Sequence, residues 1–124
     1  MKRLVLKFGG TSVGTIEKIK KVANIIKKKF SEGNEIIVIV SAMAGATDLL
    51  KEKSNLISNN FDNKELDVLL SSGEQVSCSL LSGAIIDLGL KARSWLGWQI
   101  PIITNDNYTS SQIMKIKIDE VSNF

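Results

Sequence analysis

Lys7 closes a short apolar run and leads into Gly9-Gly10-Thr11-Ser12-Val13-Gly14. A lysine followed by a glycine-rich turn into a helix suits a phosphate. The glycines let backbone N–H groups approach an anion, the helix start adds partial positive charge, and the lysine neutralises charge on a transferred phosphoryl group. The pattern is not a Walker sequence, and glycine-rich turns also serve as plain punctuation between elements. A second turn, Ser41-Ala42-Met43-Ala44-Gly45-Ala46-Thr47-Asp48, is built of small residues that keep the backbone open to a ligand, with hydroxyls at Ser41 and Thr47. Capping a helix is the commoner use of Thr47 or Asp48. In Ser71-Ser72-Gly73-Glu74-Gln75 a carboxylate sits beside glycine at an expected helix start, where the helix dipole alone would favour an acid. At a rim shared with a cationic turn, a buried-rim Glu74 would suit an ammonium group, and a site with one positive and one negative end matches the polarity of an amino acid.

Ala92-Arg93-Ser94-Trp95-Leu96-Gly97-Trp98-Gln99 packs two tryptophans around one glycine, and core packing is their expected role. The chain has no histidine, which excludes Ser-His-Asp and Cys-His catalysis, and no cysteine-histidine metal cluster can be assembled. The single cysteine, Cys78, forms no intrachain disulfide; it is expected to be an inert core thiol and fits a reducing cytoplasm.

These residues need elements to position them. Arg3 to Phe8 is expected to be a strand, Thr15 to Phe30 an amphipathic helix with Ile16, Ile19, Ala23, Ile26 and Phe30 on its apolar stripe, and Gly33 its stop. Ile36 to Val40 are five consecutive β-branched residues, which predicts a strand buried on both faces, as inside a parallel sheet. Strand, helix and strand make a βαβ unit with both strand ends at one rim, where ligands of open α/β sheets collect. A second helix is expected from Thr47 to Ser58, then a loop to Asn63, then one or two helices with boundaries near Gly73 and Gly83. Leu90 to Trp95 and Ile100 to Thr104 are expected strands, Pro101 marking an edge. Ile113, Ile116 and Val121 have loosely helical spacing.

At 124 residues, with 44% hydrophobic and 23% charged residues, the chain is in the soluble globular class with room for about one domain. The net charge of +3 comes largely from lysines, and Lys18, Lys20, Lys21, Lys27, Lys28 and Lys29 share one predicted helix, where a solvated face is expected rather than a nucleic-acid surface. No apolar stretch approaches the ~18 residues of a membrane span, and no signal-peptide core follows the N-terminus.

KFGGTSVG, VSAMAGATDLL, SSGEQVS and ARSWLGWQIPIIT, in this order and spacing, resemble the successive motifs of aspartate kinases over nearly the whole chain. The resemblance implies the amino acid kinase fold, a three-layer αβα sandwich with a mainly parallel sheet, incomplete here. Residues 1–124 would be the N-terminal portion of the kinase domain. It further implies transfer of the ATP γ-phosphoryl group to the side-chain carboxylate of L-aspartate, giving 4-phospho-L-aspartate. That is the first step toward lysine, threonine, methionine and diaminopimelate. On matching positions, Lys7, Phe8, Gly9 and Gly10 would hold the ATP phosphates with Ser41 assisting, Lys7 would act in catalysis, Thr47 and Glu74 would bind aspartate, and Mg²⁺ would accompany ATP. Family members continue with a catalytic aspartate, a nucleotide-base pocket and regulatory ACT domains. The expectation is therefore a fragment, or a chain that forms a homo-oligomer or pairs with a second chain supplying the other half, and little kinase activity alone. A non-catalytic remnant or interaction module of the same fold is the alternative, and exposed sheet edges would favour it.

Overall fold

The computed structural model describes residues 1–117, in the order β1 (Lys2–Phe8), α1 (Ile16–Ser31), β2 (Asn34–Val40), α2 (Ala46–Ile57), α3 (Asn63–Asp87), β3 (Ile102–Thr104) and β4 (Ile113–Ile116). β1 and β2 pair in parallel from Lys2↔Asn34 to Phe8↔Val40, so both strands end at one rim, as the βαβ pattern requires. Thr15 caps α1 by accepting a hydrogen bond from the Lys18 amide. Beyond its other end Gly33 adopts φ +86°, a left-handed conformation that favours glycine. The buried stripe of α1 is Ile19, Val22, Ala23 and Ile26, while Ile16 and Phe30, at its two ends, are half exposed. Lys18, Lys20, Lys21, Lys27 and Lys28 are exposed and Lys29 is half-buried, which is the solvated face expected of this helix.

The core joins α1 to α3: Val13, Ile19, Val22, Ala23 and Ile26 pack with Leu81 and Ile85, and Leu6, Phe8, Ile36, Val38 and Val40 close it from the sheet. These strand residues alternate in sequence and so belong to one face. On the opposite face Val5 is 64% exposed, Ile37 39% and Ile39 49%. The expectation that β2 is buried on both faces is thus corrected, because among the described residues helices cover only one side of the sheet.

α3 runs as one helix through both Gly73 and Gly83. Its N-cap is Asp62, whose side chain accepts from the Lys64 and Glu65 amides, and Glu65 is the first-turn acid. Glu74 therefore lies in the helix interior rather than at a helix start. Neither Thr47 nor Asp48 caps α2. That position belongs to Gly45, at φ +80°, with no side-chain cap bond. Leu90 to Trp95 carries no strand, although Leu90 and Ala92 pack against the core. β3 begins just after Pro101 and pairs antiparallel with β4, the ladder breaking register between Ile103 and Thr104. Ile113 and Ile116 are thus in a strand, because β-branched residues with a partner strand override a weak three-residue spacing; Val121 lies outside the described residues. Among the described residues no helix is long and apolar enough to cross a membrane.

Candidate active site

The turn after β1 and the turn after β2 are hydrogen-bonded to each other. The Ser41 amide donates to the Phe8 carbonyl at 3.2 Å and the Ala44 amide to the Gly10 carbonyl at 3.1 Å. Gly10 permits this approach: a Cβ there would lie 2.8 Å from the Ala42 carbonyl oxygen, and backbone cannot give way cheaply. A Cβ at Gly9 would meet nothing within 4 Å, so the chain is open to a ligand at that point. The two glycines therefore do different things, one joining two loops and one leaving the backbone accessible.

α3 holds the second turn from the other side. Gly73 is buried, and a Cβ there would come within 2.9 Å of the Ala42 Cβ, so the missing side chain lets helix and turn touch. One residue on, Glu74 Oε1 accepts a long 3.4 Å hydrogen bond from the Ala42 amide. One turn later the fully buried Ser77 donates its hydroxyl to the Ser41 carbonyl at 2.7 Å, with the Glu74 carbonyl at 3.2 Å. Glu74 itself is exposed rather than buried at the rim, leaving the carboxylate accessible. Ser77 was not singled out from the sequence; the available signal was its place as the last residue of SSGEQVS, one helical turn after Glu74.

Glu74 lines a cavity of about 420 Å³ between Val38–Val40, α3 and the Trp95–Trp98 segment, a volume in the range of small-molecule sites. Trp98 and Cys78 are walls of it, not core. Trp98 is 73% exposed and Cys78 is half-buried. The expectation for Trp98 fails for a local reason. The segment around Trp98 is folded by its own bonds, Gln99 Oε1 accepting from the Leu96 amide at 2.9 Å and the Gln99 amide donating back to Leu96, which turns the ring outward. Trp95 is half-buried, with the Arg93 guanidinium 4.3 Å from its ring centroid.

Lys7 is exposed, one residue before the end of β1, and its register partner Ile39 is a wall of the Glu74 cavity. Partners in register share a face, so Lys7 projects on the Ile39 side of the sheet while lining neither that cavity nor the second one. Phe8 points the other way, into the core, so its backbone is what it can offer a ligand. Thr47, in the first turn of α2, is exposed. The second, more open cavity of about 440 Å³ lies on the α1 side of the glycine turn, among Phe8, Thr11, Ser12, Lys18 and Lys21. Lys18 Nζ there donates to the Thr11 carbonyl at 2.9 Å. The structure joins Ala42 to Glu74 and Ser41 to Ser77 along α3, places Lys7 one strand away, and sets Thr47 on the adjoining helix.

The amino acid kinase family model matches residues 2–123. Among curated relatives, the chain is 46% identical over 122 residues to an aspartokinase of Rickettsia felis, covering 96% of this chain and 30% of that protein. It is also 46% identical to the aspartokinase of Geobacillus stearothermophilus, covering 91% and 28%. The chain thus spans under a third of the length of these relatives. Among solved structures, the aspartate kinase from Synechocystis matches with a TM-score of 0.68 at 49% identity over 71% of this chain and 15% of that one. E. coli aspartokinase III in complex with aspartate and ADP matches with a TM-score of 0.73 over 91% of this chain and 35% of that one, at 22% identity, a likeness of fold.

Proposed function

The chain belongs to the amino acid kinase family, and from that premise we propose that it is the N-terminal portion of the kinase domain of an aspartate kinase. The reaction is transfer of the ATP γ-phosphoryl group to the side-chain carboxylate of L-aspartate. A carboxylate oxygen forms the new bond to phosphorus, the bond to the bridging oxygen breaks, and 4-phospho-L-aspartate and ADP result. The observation that carries this reading is the mutual bonding of the two rim turns with Glu74 attached to the second of them, in a chain 46% identical to aspartokinases.

The chemistry asks little of the protein beyond placement. A carboxylate with a pKa of about 4 is ionised at neutral pH and needs no general base. The difficulty is bringing two anions together, which calls for cations and backbone donors aimed at the phosphoryl group. In this reading the open backbone at Gly9 and the Lys7 ammonium take ATP phosphates beside Gly10, Phe8 and Ser41. Glu74 holds the ammonium of aspartate and Thr47 helps to seat it. Mg²⁺ would accompany the triphosphate, where it screens charge. A cytoplasmic location and the first step of lysine, threonine and methionine synthesis go with this activity. The bare sheet face at Val5, Ile37 and Ile39 is the observation that favours the second reading, an interaction module of the same fold that binds no substrate.

Calorimetry separates the two. The chain is expected to bind L-aspartate saturably, to bind succinate, which lacks the ammonium, more weakly, and to lose that preference on Glu74→Gln. Equal affinity for both ligands would remove the ammonium assignment. Joined to a complete kinase domain, the chain is expected to give an aspartate hydroxamate when the acyl phosphate is captured by hydroxylamine, and Lys7→Ala to lower kcat by ~10²-fold or more. Normal turnover in that variant would contradict the role of Lys7.

A further inference from the structure

Two of the contacts that α3 makes with the second turn fall on a single peptide unit. The Ser41 carbonyl, which accepts from Ser77 Oγ at 2.7 Å, and the Ala42 amide, which donates to Glu74 Oε1 at 3.4 Å, are the two ends of the Ser41–Ala42 peptide. In a trans peptide the C=O and N–H point in opposite directions, so fixing one end aims the other. Ser77 is fully buried and makes the shorter bond, whereas Glu74 is exposed and makes the longer one. The strong, water-excluded contact therefore sets the orientation of the peptide, and the carboxylate takes up the N–H that results.

From this we infer that Ser77 is a positioning residue for the amino-acid site: it locks the Ser41–Ala42 peptide so that its N–H engages one oxygen of Glu74 and leaves the other for a ligand ammonium. Were the peptide to turn over, the Ser41 carbonyl would face the carboxylate, and two negative dipole ends would push Glu74 away from the turn. Gly73 supports the same arrangement, since its missing Cβ lets Ala42 sit against the helix. The substrate side of this inference rests on the aspartate reading of Glu74, while the peptide lock itself does not.

The test uses the full chain, labelled with ¹⁵N, as wild type, Ser77→Ala, Ser77→Cys and Glu74→Gln. Ser77→Cys keeps the volume with a much weaker donor, and it decides the matter if Ser77→Ala does not fold. The Ala42 amide resonance is expected to move upfield in Glu74→Gln and in the Ser77 variants, while the Val22 and Ala23 amides in α1 stay in place. By calorimetry the Ser77 variants are expected to bind L-aspartate ~10-fold more weakly with succinate affinity unchanged. An Ala42 amide that stays put in a folded Ser77 variant overturns the lock. So does an equal loss of both ligands, which would mark Ser77 as merely structural, or a loss of L-aspartate confined to Glu74→Gln. If Glu74→Gln itself leaves L-aspartate binding intact, the aspartate reading of Glu74 fails, and the Ala42 amide still decides the lock.

Discussion

Two turns flank the Glu74 cavity, one bonded to Glu74 and the other forming a wall, and they are built in different ways. Ser41–Gly45 is held by partners far away in sequence: the Phe8 and Gly10 carbonyls, the Glu74 carboxylate 32 positions on and the Ser77 hydroxyl 36 positions on. In Trp95–Gln99 the backbone bonds run to near neighbours, Gln99 bonding Leu96 in both directions, the Ile100 amide donating to the Leu96 carbonyl and the Ile102 amide to the Gly97 carbonyl, and the Trp98 ring is mostly in solvent. The same division separates the larger regions. From β1 to α3 the chain closes a core around Val13, Ile19 and Leu81, whereas β3 and β4 form a hairpin whose residues are all exposed. Long-range clamps fix a backbone in advance of a ligand, and local bonds leave side chains free to adjust at little cost. In the proposed site the two rim turns are thus bonded together in advance of a ligand, while the Trp98 wall rests on local bonds.

This contrast can be broken most forcefully at the core. Leu81→Ala, at a side chain only 3% exposed, is expected to cost about 2–5 kcal/mol in urea unfolding. Ile113→Ala in the hairpin, 62% exposed, is expected to stay within about 0.5 kcal/mol. Comparable losses at the two positions would mean that the hairpin shares the core's cooperativity. A sharper probe lies in the glycines. Gly10→Ala drives a Cβ against the Ala42 carbonyl and is expected to cost about 1–3 kcal/mol, while Gly97→Ala meets nothing within 4 Å and should leave the midpoint unmoved. A silent Gly10→Ala would show that the two rim turns are not tightly joined. A smaller loss than at Leu81 or Gly10 is expected at Arg93→Ala, which removes the stacking over Trp95. About 0.5–1 kcal/mol is at stake, together with a change in tryptophan emission, and identical emission would argue against the contact in solution.

Much of the first half was legible in the residues. The apolar run before Gly9-Gly10, the stripe through Ile19, Ala23 and Ile26 and the β-branched run to Val40 are local periodicities, and β1, α1 and β2 follow them closely. Both turns were placed at one rim for the same reason. Glu74 was picked out as a site residue, but its setting was misjudged. Gly73 looked like a boundary because a glycine inside a helix costs about 1 kcal/mol relative to alanine, and only the contact with Ala42 shows what offsets that cost. Trp98 and Cys78 looked like core residues by type; Trp98 stands on a cavity wall in a turn whose folding no hydrophobic pattern announces, and Cys78 lines the same cavity from α3.

By itself the sequence determined the order of strand, helix and strand, the rim at which the glycine and serine turns meet, and the motif series that ties the chain to its family. These are written in neighbouring residues, where spacing and side-chain type act directly on the backbone. Tertiary structure alone decided that Gly10 joins one turn to the other, that Ser77 and Glu74 grip a single peptide, and that Ile37 and Ile39 stand exposed. Each depends on which distant segment arrives to fill, bond or leave bare a surface, and no local window of sequence holds that information.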